Sequence, residues 1–396
     1  MINRYLDEDI EKIWSNENMF KTWFDLEVAY INSFFNNKSL DVASEFALED
    51  LIFINSFHRN FNFDTKSIKE IKKIEKETKH DFVAFLKYLE DKAGDSSMRW
   101  IHYGLTSSDI IDTSNSIRCV KTLEIIASRL VSTILILKEK IKSKSAEVEI
   151  LARTHGQAAE IQTLGHVYKR WLSFAQRAFD KVIYARQNVN VGKLSGAVGN
   201  YTFNNKEIEK IALADFNLKP FLNASQIISR DVYLDYFYAL LNVMLFVDKV
   251  SNDIRIYSIS EINEIAEGFS DGQKGSSAMP HKKNPIYTEN LHGLTVLFKG
   301  MFDSAIANCN TLLERDISHS SVERIIFPDS AHIAAFSLNR LTSVLTNLVV
   351  NKENCSRNID KNRIKLNSQN ILAEKINEGL SRFESHNISQ KEVNQC

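Results

Sequence analysis

The most constraining feature of this chain is an absence: residues 1 to 93 contain neither proline nor glycine. Those two residue types are the strongest punctuation a sequence has. Across all 396 residues there are four prolines, Pro220, Pro280, Pro285 and Pro328, and thirteen glycines. Such scarcity predicts long, unbroken helices. Periodicity points the same way. Leu123, Ile126, Leu130, Ile134, Leu137 and Ile141 recur at intervals of three and four, as one apolar helix face does. Leu234, Phe237, Leu241, Met244 and Val247 repeat the pattern, and Val250, Ile254 and Tyr257 extend it. A third stripe is Leu338, Leu341, Leu345 and Leu348, with Pro328-Asp329 read as its helix start. Helices this long need lateral partners, so the expected fold is all-α, with a long-helix bundle at its core. The expected division is an N-terminal helical domain over 1–98, the bundle over 99–350, and a polar helical tail over 351–396 whose end frays.

Bulk properties narrow the function. The chain carries 49 basic and 50 acidic residues, a formal charge of -1. No global field recruits nucleic acid or an anionic membrane, so an anionic ligand needs a local cluster of cations. The opening MINRYLDEDIEKIW has no apolar segment of the secretory kind, and no run of 18 apolar residues predicts a membrane span. A cytoplasmic location is the expectation that follows. Cys119, Cys309, Cys355 and Cys396 show no CxxC pairing and are expected to be idle thiols. HxxxH, HExxH, GxxxxGK[ST] and GxGxxG are all absent from the sequence, so neither a metal nor a cofactor is expected.

The glycines are clustered. Gly94 and Gly104 flank a predicted loop, Gly192, Gly196 and Gly199 lie in VGKLSGAVGN, and Gly268, Gly272 and Gly275 lie in EGFSDGQKGSSAMPHKKNP. In a helical protein, irregular segments beside rigid elements are where chemistry sits. The segment 275–285, GSSAMPHKKNP, is the richest. Its glycines predict a mobile loop, two serines follow, Lys282 and Lys283 add positive charge, and Asn284-Pro285 reads as a helix start. A helix N-terminus and an ammonium both stabilise an anion, which is what a serine needs to act as a base.

GSSAMPHKKNP resembles the signature of the fumarase/aspartase superfamily, whose members eliminate fumarate or close analogues. Within it, six further segments resemble the adenylosuccinate lyase family: Arg4-Tyr5, KHDFVAF at 79–85, WIHYGLTSSDIIDT at 100–113, RTHGQ at 153–157, SQIISRD at 225–231 and ERDISHSSVERIIFPD at 314–329. They follow the family's order over roughly residues 1 to 350. The resemblance implies elimination of fumarate from adenylosuccinate to give AMP, and from the succinyl-carboxamide intermediate SAICAR to give AICAR. It implies Ser276 as the base and His155 as the acid that protonates the leaving nitrogen, with His80, Lys282 and Glu289 in supporting catalytic roles. Glu289 is expected to pair with His155, and His80 to lie near it. Asp81 is expected to orient a neighbour. Thr106, Ser107, Lys282 and Asn284 are expected at the succinyl carboxylate, with His102, Lys79, Ser277, Lys283 and Asn290 lining the same site. Gln226, Arg315, Ser320, Ser321 and Arg324, joined by Arg4 and Tyr5, are expected to hold nucleotide and phosphate. Arginine suits that task because its planar fork meets phosphate bidentately. The family also implies a homotetramer with active sites shared between subunits.

Three departures stand out. Ile161-Gln162 replaces the family's usual proline-threonine pair after the catalytic histidine, and Lys283 stands where arginine is common. The stretch from Ser356 to Arg382 resembles the beginning of the family's third helical domain, so an abbreviated C-terminal domain is expected. Two other readings compete: a different member of the superfamily, of the argininosuccinate lyase or cycloisomerase type, and a non-catalytic helical scaffold. Ser276, His155, Lys282 and His80 together speak against the scaffold.

Overall fold

A computed structural model describes residues 1–37, 47–269 and 272–394. The helices are α1 (Glu8–Trp14), α2 (Asn16–Asn36), α3 (Leu48–Asn60), α4 (Thr65–Thr78), α5 (Asp81–Ala93), α6 (Ser107–Lys142), α7 (Leu164–Asn188), α8 (Lys206–Ala214), α9 (Arg230–Tyr257), α10 (Ile286–Ala307), α11 (Ser318–Thr346), α12 (Lys352–Asp360), α13 (Arg363–Leu366), α14 (Ser368–Asn377) and α15 (Arg382–Asn394). The all-helical expectation is met. The 36 residues of α6 extend about 54 Å at 1.5 Å per residue. Several shorter helices start where a side chain accepts the free N–H groups of the first turn: Asp7, Ser15, Asp64, Asn205 and Asn351 each do so. Gly94 ends α5 with φ +60°, a left-handed stop that costs glycine nothing.

The periodic stripes are core. Leu123, Ile126, Leu130 and Leu137 on α6, Met244, Val247, Val250 and Ile254 on α9, and Leu338, Leu341 and Leu345 on α11 are all fully buried. One sequence expectation fails here. Pro328 does not start a helix; it lies inside α11. The helix starts ten residues earlier, where Asp316 accepts the Ser318 N–H at 2.8 Å. Proline has no N–H, so one helical bond is missing there.

Three two-stranded sheets interrupt the helices: an antiparallel hairpin of β1 (Glu149–Thr154) and β2 (Gln157–Thr163), a parallel pair β3 (Val191–Gly192) and β4 (Lys219–Pro220), and an antiparallel pair β5 (Ile265–Ala266) and β6 (Val349–Val350). The chain forms two compact units. The first comprises Met1–Arg129, Phe179–Asn242 and Val296–Phe336, and the second Leu130–Ala178, Val243–Thr295 and Ser337–Cys396. The first unit has an aromatic core in which Phe20, Trp23, Phe82 and Phe85 pack at centroid distances of 5.1 to 5.7 Å. In the second, α12 packs on β1 and α13 on β2. Cys119, Cys309 and Cys355 are free thiols, and Cys396 lies outside the described residues. No described helix is long and apolar enough to cross a membrane, and no described cluster of His, Cys, Asp and Glu could hold a metal ion.

Candidate active site

In the first unit, three of the motif segments meet at one buried ion-pair cluster. The Arg230 guanidinium donates to both oxygens of Asp112 at 2.7 and 2.9 Å, to both of Glu323 at 3.0 and 3.2 Å, and to the Ile228 carbonyl at 2.6 Å. Asp112 belongs to WIHYGLTSSDIIDT, Arg230 to SQIISRD and Glu323 to ERDISHSSVER, so α6, α9 and α11 are locked together there. Burial pushes the Glu323 carboxyl up to about 7, against the pull of Arg230. A second buried lock joins Asp109 to the Lys193 ammonium, and both side chains are fully shielded. Asp109 also accepts the N–H groups of Thr106, Ser195 and Gly196. That holds Thr106 and Ser107 at the start of α6. Among the described residues their hydroxyls have no partner.

Beside the Arg230 cluster lies a cleft of about 230 Å³. Asp81, Arg315, Ser320 and Arg324 line it, together with Trp14, Arg118, Arg230, His319 and Glu323. Arg324 is paired with Asp81. Arg315 donates to the Gln226 side-chain carbonyl at 3.1 Å. Ser321 is exposed and donates to the Ser318 carbonyl at 2.9 Å. Asp81 also approaches His80, at 3.5 Å, but its closer partner is Arg324. His80 caps α5, its Nδ1 accepting the Val83 N–H. Lys79 ends α4 in a left-handed conformation. Arg4 and Tyr5 form a short 3-10 turn and are not among the residues lining this cleft, the Tyr5 ring standing edge-on to Phe336 at 5.2 Å.

His102 is held differently. Its Nδ1 lies 2.7 Å from one oxygen of the fully buried Glu27, whose other oxygen accepts the His102 N–H at 2.9 Å. Burial opposes the charged ring, but the Glu27 carboxylate outweighs it and holds the imidazole above its usual value. This carboxylate–histidine pair leaves Nε2 without a partner among the described residues.

In the second unit, RTHGQ forms the tip of a β-hairpin. Thr154 pairs with Gln157, so His155 and Gly156 are the two turn residues, with φ of +54° and +77°. Positive φ at both positions is the turn whose twist suits a hairpin. His155 therefore stands exposed at the hairpin tip. Arg153 anchors the hairpin by a bidentate pair to the buried Glu264, at 2.8 and 3.0 Å. The signature segment follows β5. Ser276 Oγ accepts the Met279 N–H at 3.1 Å, a bond that strengthens with negative charge on the oxygen. Gly275 is required: a Cβ there would stand 2.2 Å from the Lys282 carbonyl oxygen. Ser277, Lys282 and Lys283 are exposed, and the Lys283 ammonium lies 5.7 Å from the Phe269 ring centre.

The helix start expected to face substrate is already filled. Glu267 accepts the Thr288 N–H and hydroxyl, both at 2.6 Å, and the Tyr287 N–H at 3.2 Å. The first turn of α10 opens at Ile286, one residue later than the sequence suggests, and Glu289 bonds back to the Pro285 carbonyl. Asn284 contributes its backbone carbonyl to the Ile286 N–H. The Asn290 side-chain carbonyl accepts from Arg340. Glu289 is exposed, and among the described residues it makes no bond to His155. Sequence reading missed Glu27, Arg118, Arg230, Glu264, Glu267, His319 and Glu323. Of these, Arg230, His319, Glu323 and Glu267 lie inside the quoted motif segments without being singled out, Glu27 is one of two acids in the otherwise apolar WFDLEVAY, and Arg118 and Glu264 carried no local signal.

A bundle of long helices carrying a serine-bearing signature loop defines a class, and comparison with known proteins agrees. A family described as Lyase matches residues 34–298, and the chain belongs to it. Within that family the chain is 36% identical to adenylosuccinate lyase of Bacillus subtilis over 390 residues, 98% of this chain and 87% of that one. It is 34% identical to the adenylosuccinate lyase of a Synechocystis species, over all of this chain and 89% of that one. The fold is that of a fumarate lyase from Mesorhizobium, with TM-score 0.87 and 18% identity, covering all of this chain and 88% of that one.

Proposed function

We propose that this protein is a carbon–nitrogen lyase that eliminates fumarate from adenylosuccinate, giving AMP, and from SAICAR, giving AICAR. The observation that carries the reading is similarity to adenylosuccinate lyases over almost the whole chain. The chemistry supports it. The Ser276 alkoxide takes a proton from the carbon next to a succinyl carboxylate. The electron pair moves into that carboxylate, which becomes a dianion that Lys282, Thr106 and Ser107 stabilise. The carbon–nitrogen bond then breaks, the nitrogen keeping the pair and accepting a proton from His155. An imidazole is suited to that donation near neutral pH. Arg315, Ser320 and Arg324 hold the phosphate, and His80, His102 and Glu289 orient the reacting groups.

A complete site draws its parts from several copies of the chain in a homotetramer. Two features support this: His155 is exposed on a hairpin tip, and the long helices expose Val131, Leu135, Tyr238, Val296 and Leu297. An apolar surface of that kind suits assembly. The test is fumarate release from adenylosuccinate by the purified protein, with argininosuccinate as control. Release from argininosuccinate alone, or from neither, overturns the assignment. Mixing an inactive Ser276→Ala chain with an inactive His155→Ala chain is expected to restore activity; mixed tetramers without activity would remove the sharing.

A further inference from the structure

The cleft of the first unit holds four guanidinium groups, and two of them have no carboxylate. Arg230 is fully occupied by Asp112 and Glu323, and Arg324 is paired with Asp81. Arg315 meets only the neutral Gln226. Arg118 is 6% exposed and meets only the neutral Asn115 side chain, at 2.5 Å, and the Trp14 ring, at 4.5 Å. A buried cation without a counter-charge is costly, and proteins seldom keep one that nothing neutralises.

Four buried nitrogens lining this one cleft also lack a hydrogen-bond partner: Trp23 Nε1, Arg118 Nε, Arg315 Nε and His319 Nδ1. Buried donors are almost always satisfied, so unpaired ones that share a cleft describe a missing acceptor. Trp14 fixes the Arg118 plane. Its ring stacks on Phe327 at 5.7 Å, and its N–H is tied to the Thr122 hydroxyl at 2.9 Å. The guanidinium is thus held on a rigid aromatic wall with one donor to spare.

The charge decides the ligand class. The cleft lines four arginines against the carboxylates of Asp81, Asp112 and Glu323, leaving one net positive charge, or two once Glu323 is protonated. His319 is 3% exposed, and burial, with Arg230 beside it, brings its ring down to about 4, so it is neutral in the working range and adds no charge to the cleft. A singly charged carboxylate would leave the protonated state unbalanced. A phosphomonoester, which carries up to two charges and three acceptor oxygens, matches the charge and can accept from Arg118 and Arg315 together.

We infer that Arg118 is a phosphate-binding residue, forming with Arg315 and His319 the inner end of an anion site that takes a phosphomonoester dianion. The inference rests on the reading of Arg315, Ser320 and Arg324 as phosphate contacts and adds to it a residue that no sequence motif marks.

The test separates binding from structure. In Arg118→Met the uncompensated charge is gone and the packing on Trp14 is kept, so without ligand the melting temperature is expected to hold or rise. Inorganic phosphate and AMP are expected to raise the melting temperature of the wild type and to raise that of Arg118→Met much less. KM for adenylosuccinate is expected to rise about tenfold or more, with partial recovery in Arg118→Lys. A ligand-free Arg118→Met that melts several degrees lower but is stabilised by phosphate as the wild type is would make Arg118 structural and overturn the inference. So would a wild type that phosphate and AMP leave unchanged. Phosphate protection depends on no turnover. A protein that binds phosphate through Arg118 yet releases no fumarate would refute the proposed activity and leave this site standing.

Discussion

The cleft of the first unit and the signature segment of the second are built on opposite plans. The cleft is lined by groups already locked by buried ion pairs, Asp112–Arg230–Glu323 next to it and Asp109–Lys193 behind the start of α6. The signature segment leaves Ser277, Lys282 and Lys283 exposed and anchors only at its base, through Glu267. Burial fixes geometry at the expense of adaptability. A nucleotide's phosphate does not change during the elimination, so a rigid site for it suffices. A base that must reach a carbon acid has to approach its target and leave again.

The contrast is broken most directly at the chemistry. Ser276→Ala and His155→Ala are each expected to lower kcat by about 10²–10⁴, roughly 3–5 kcal/mol of barrier, with the melting temperature unchanged because both side chains sit on accessible turns. Near-wild-type kcat in steady-state assays would remove that residue from its role. The opposite signature is expected in the buried lock. Lys193→Met strands the Asp109 carboxylate in a fully shielded position, which costs about 3–5 kcal/mol of unfolding free energy. Urea unfolding reads this as a lower midpoint at the same slope. An unchanged midpoint would mean that the first unit is not held by its ion pairs, and the contrast would fail.

A smaller effect is expected where the two plans meet in one device. Glu267 precedes the signature segment and Thr288 follows it, so their bonds clasp the base of the segment. The Glu267 carboxylate also answers the positive end of α10. Glu267→Gln keeps the shape and loses charge and acceptor capacity, at a cost of about 1–2 kcal/mol. Its effect is expected on turnover, with the affinity for inorganic phosphate as in the wild type. A change in phosphate affinity instead would show that the clasp is not local to the segment.

How much of this was legible in the sequence depended on the range of the interaction. The stripes through Leu123, Met244 and Leu338 announced their helices because an apolar face is a local pattern. GSSAMPHKKNP stood out because its chemistry is contiguous. The hairpin carrying His155 was not legible: ILART and QAAEIQT are short and do not alternate cleanly, and the turn is decided by two positive φ values. Pro328 misled because its usual place at a helix start was overridden by the Asp316 cap and the packing of α11. Arg118 reads locally, in NSIRCVK, as an ordinary helix charge. Only Trp14, over a hundred residues away, makes it a buried one. Glu267 and Glu264 are invisible for the same reason: their partners are set by the fold.

The smallest expected effect concerns pH and the locked cleft. Burial, with Arg230 close by, lowers the His319 ring from its ordinary 6.5 to about 4. As pH falls, the unfolded chain therefore takes up this proton before the folded chain does. The stability that neutral His319 provides is complete above about 6.5 and is lost progressively toward 4. Glu323 acts with the opposite sign. Its folded carboxyl titrates near 7, above the ordinary value, so the folded chain takes up that proton first and gains stability as pH falls. Wild-type stability alone mixes the two. The difference between the wild type and His319→Gln isolates the histidine, because Glu323 contributes to both. Between pH 7 and pH 5.5 the wild type is expected to lose about 1 kcal/mol more than His319→Gln, because one proton bound by the unfolded chain alone changes stability by about 1.4 kcal/mol for each pH unit crossed. Parallel stability curves from urea unfolding across that range would show that His319 titrates normally. The cleft would then admit water freely, and its claim to be a preformed anion site would be lost.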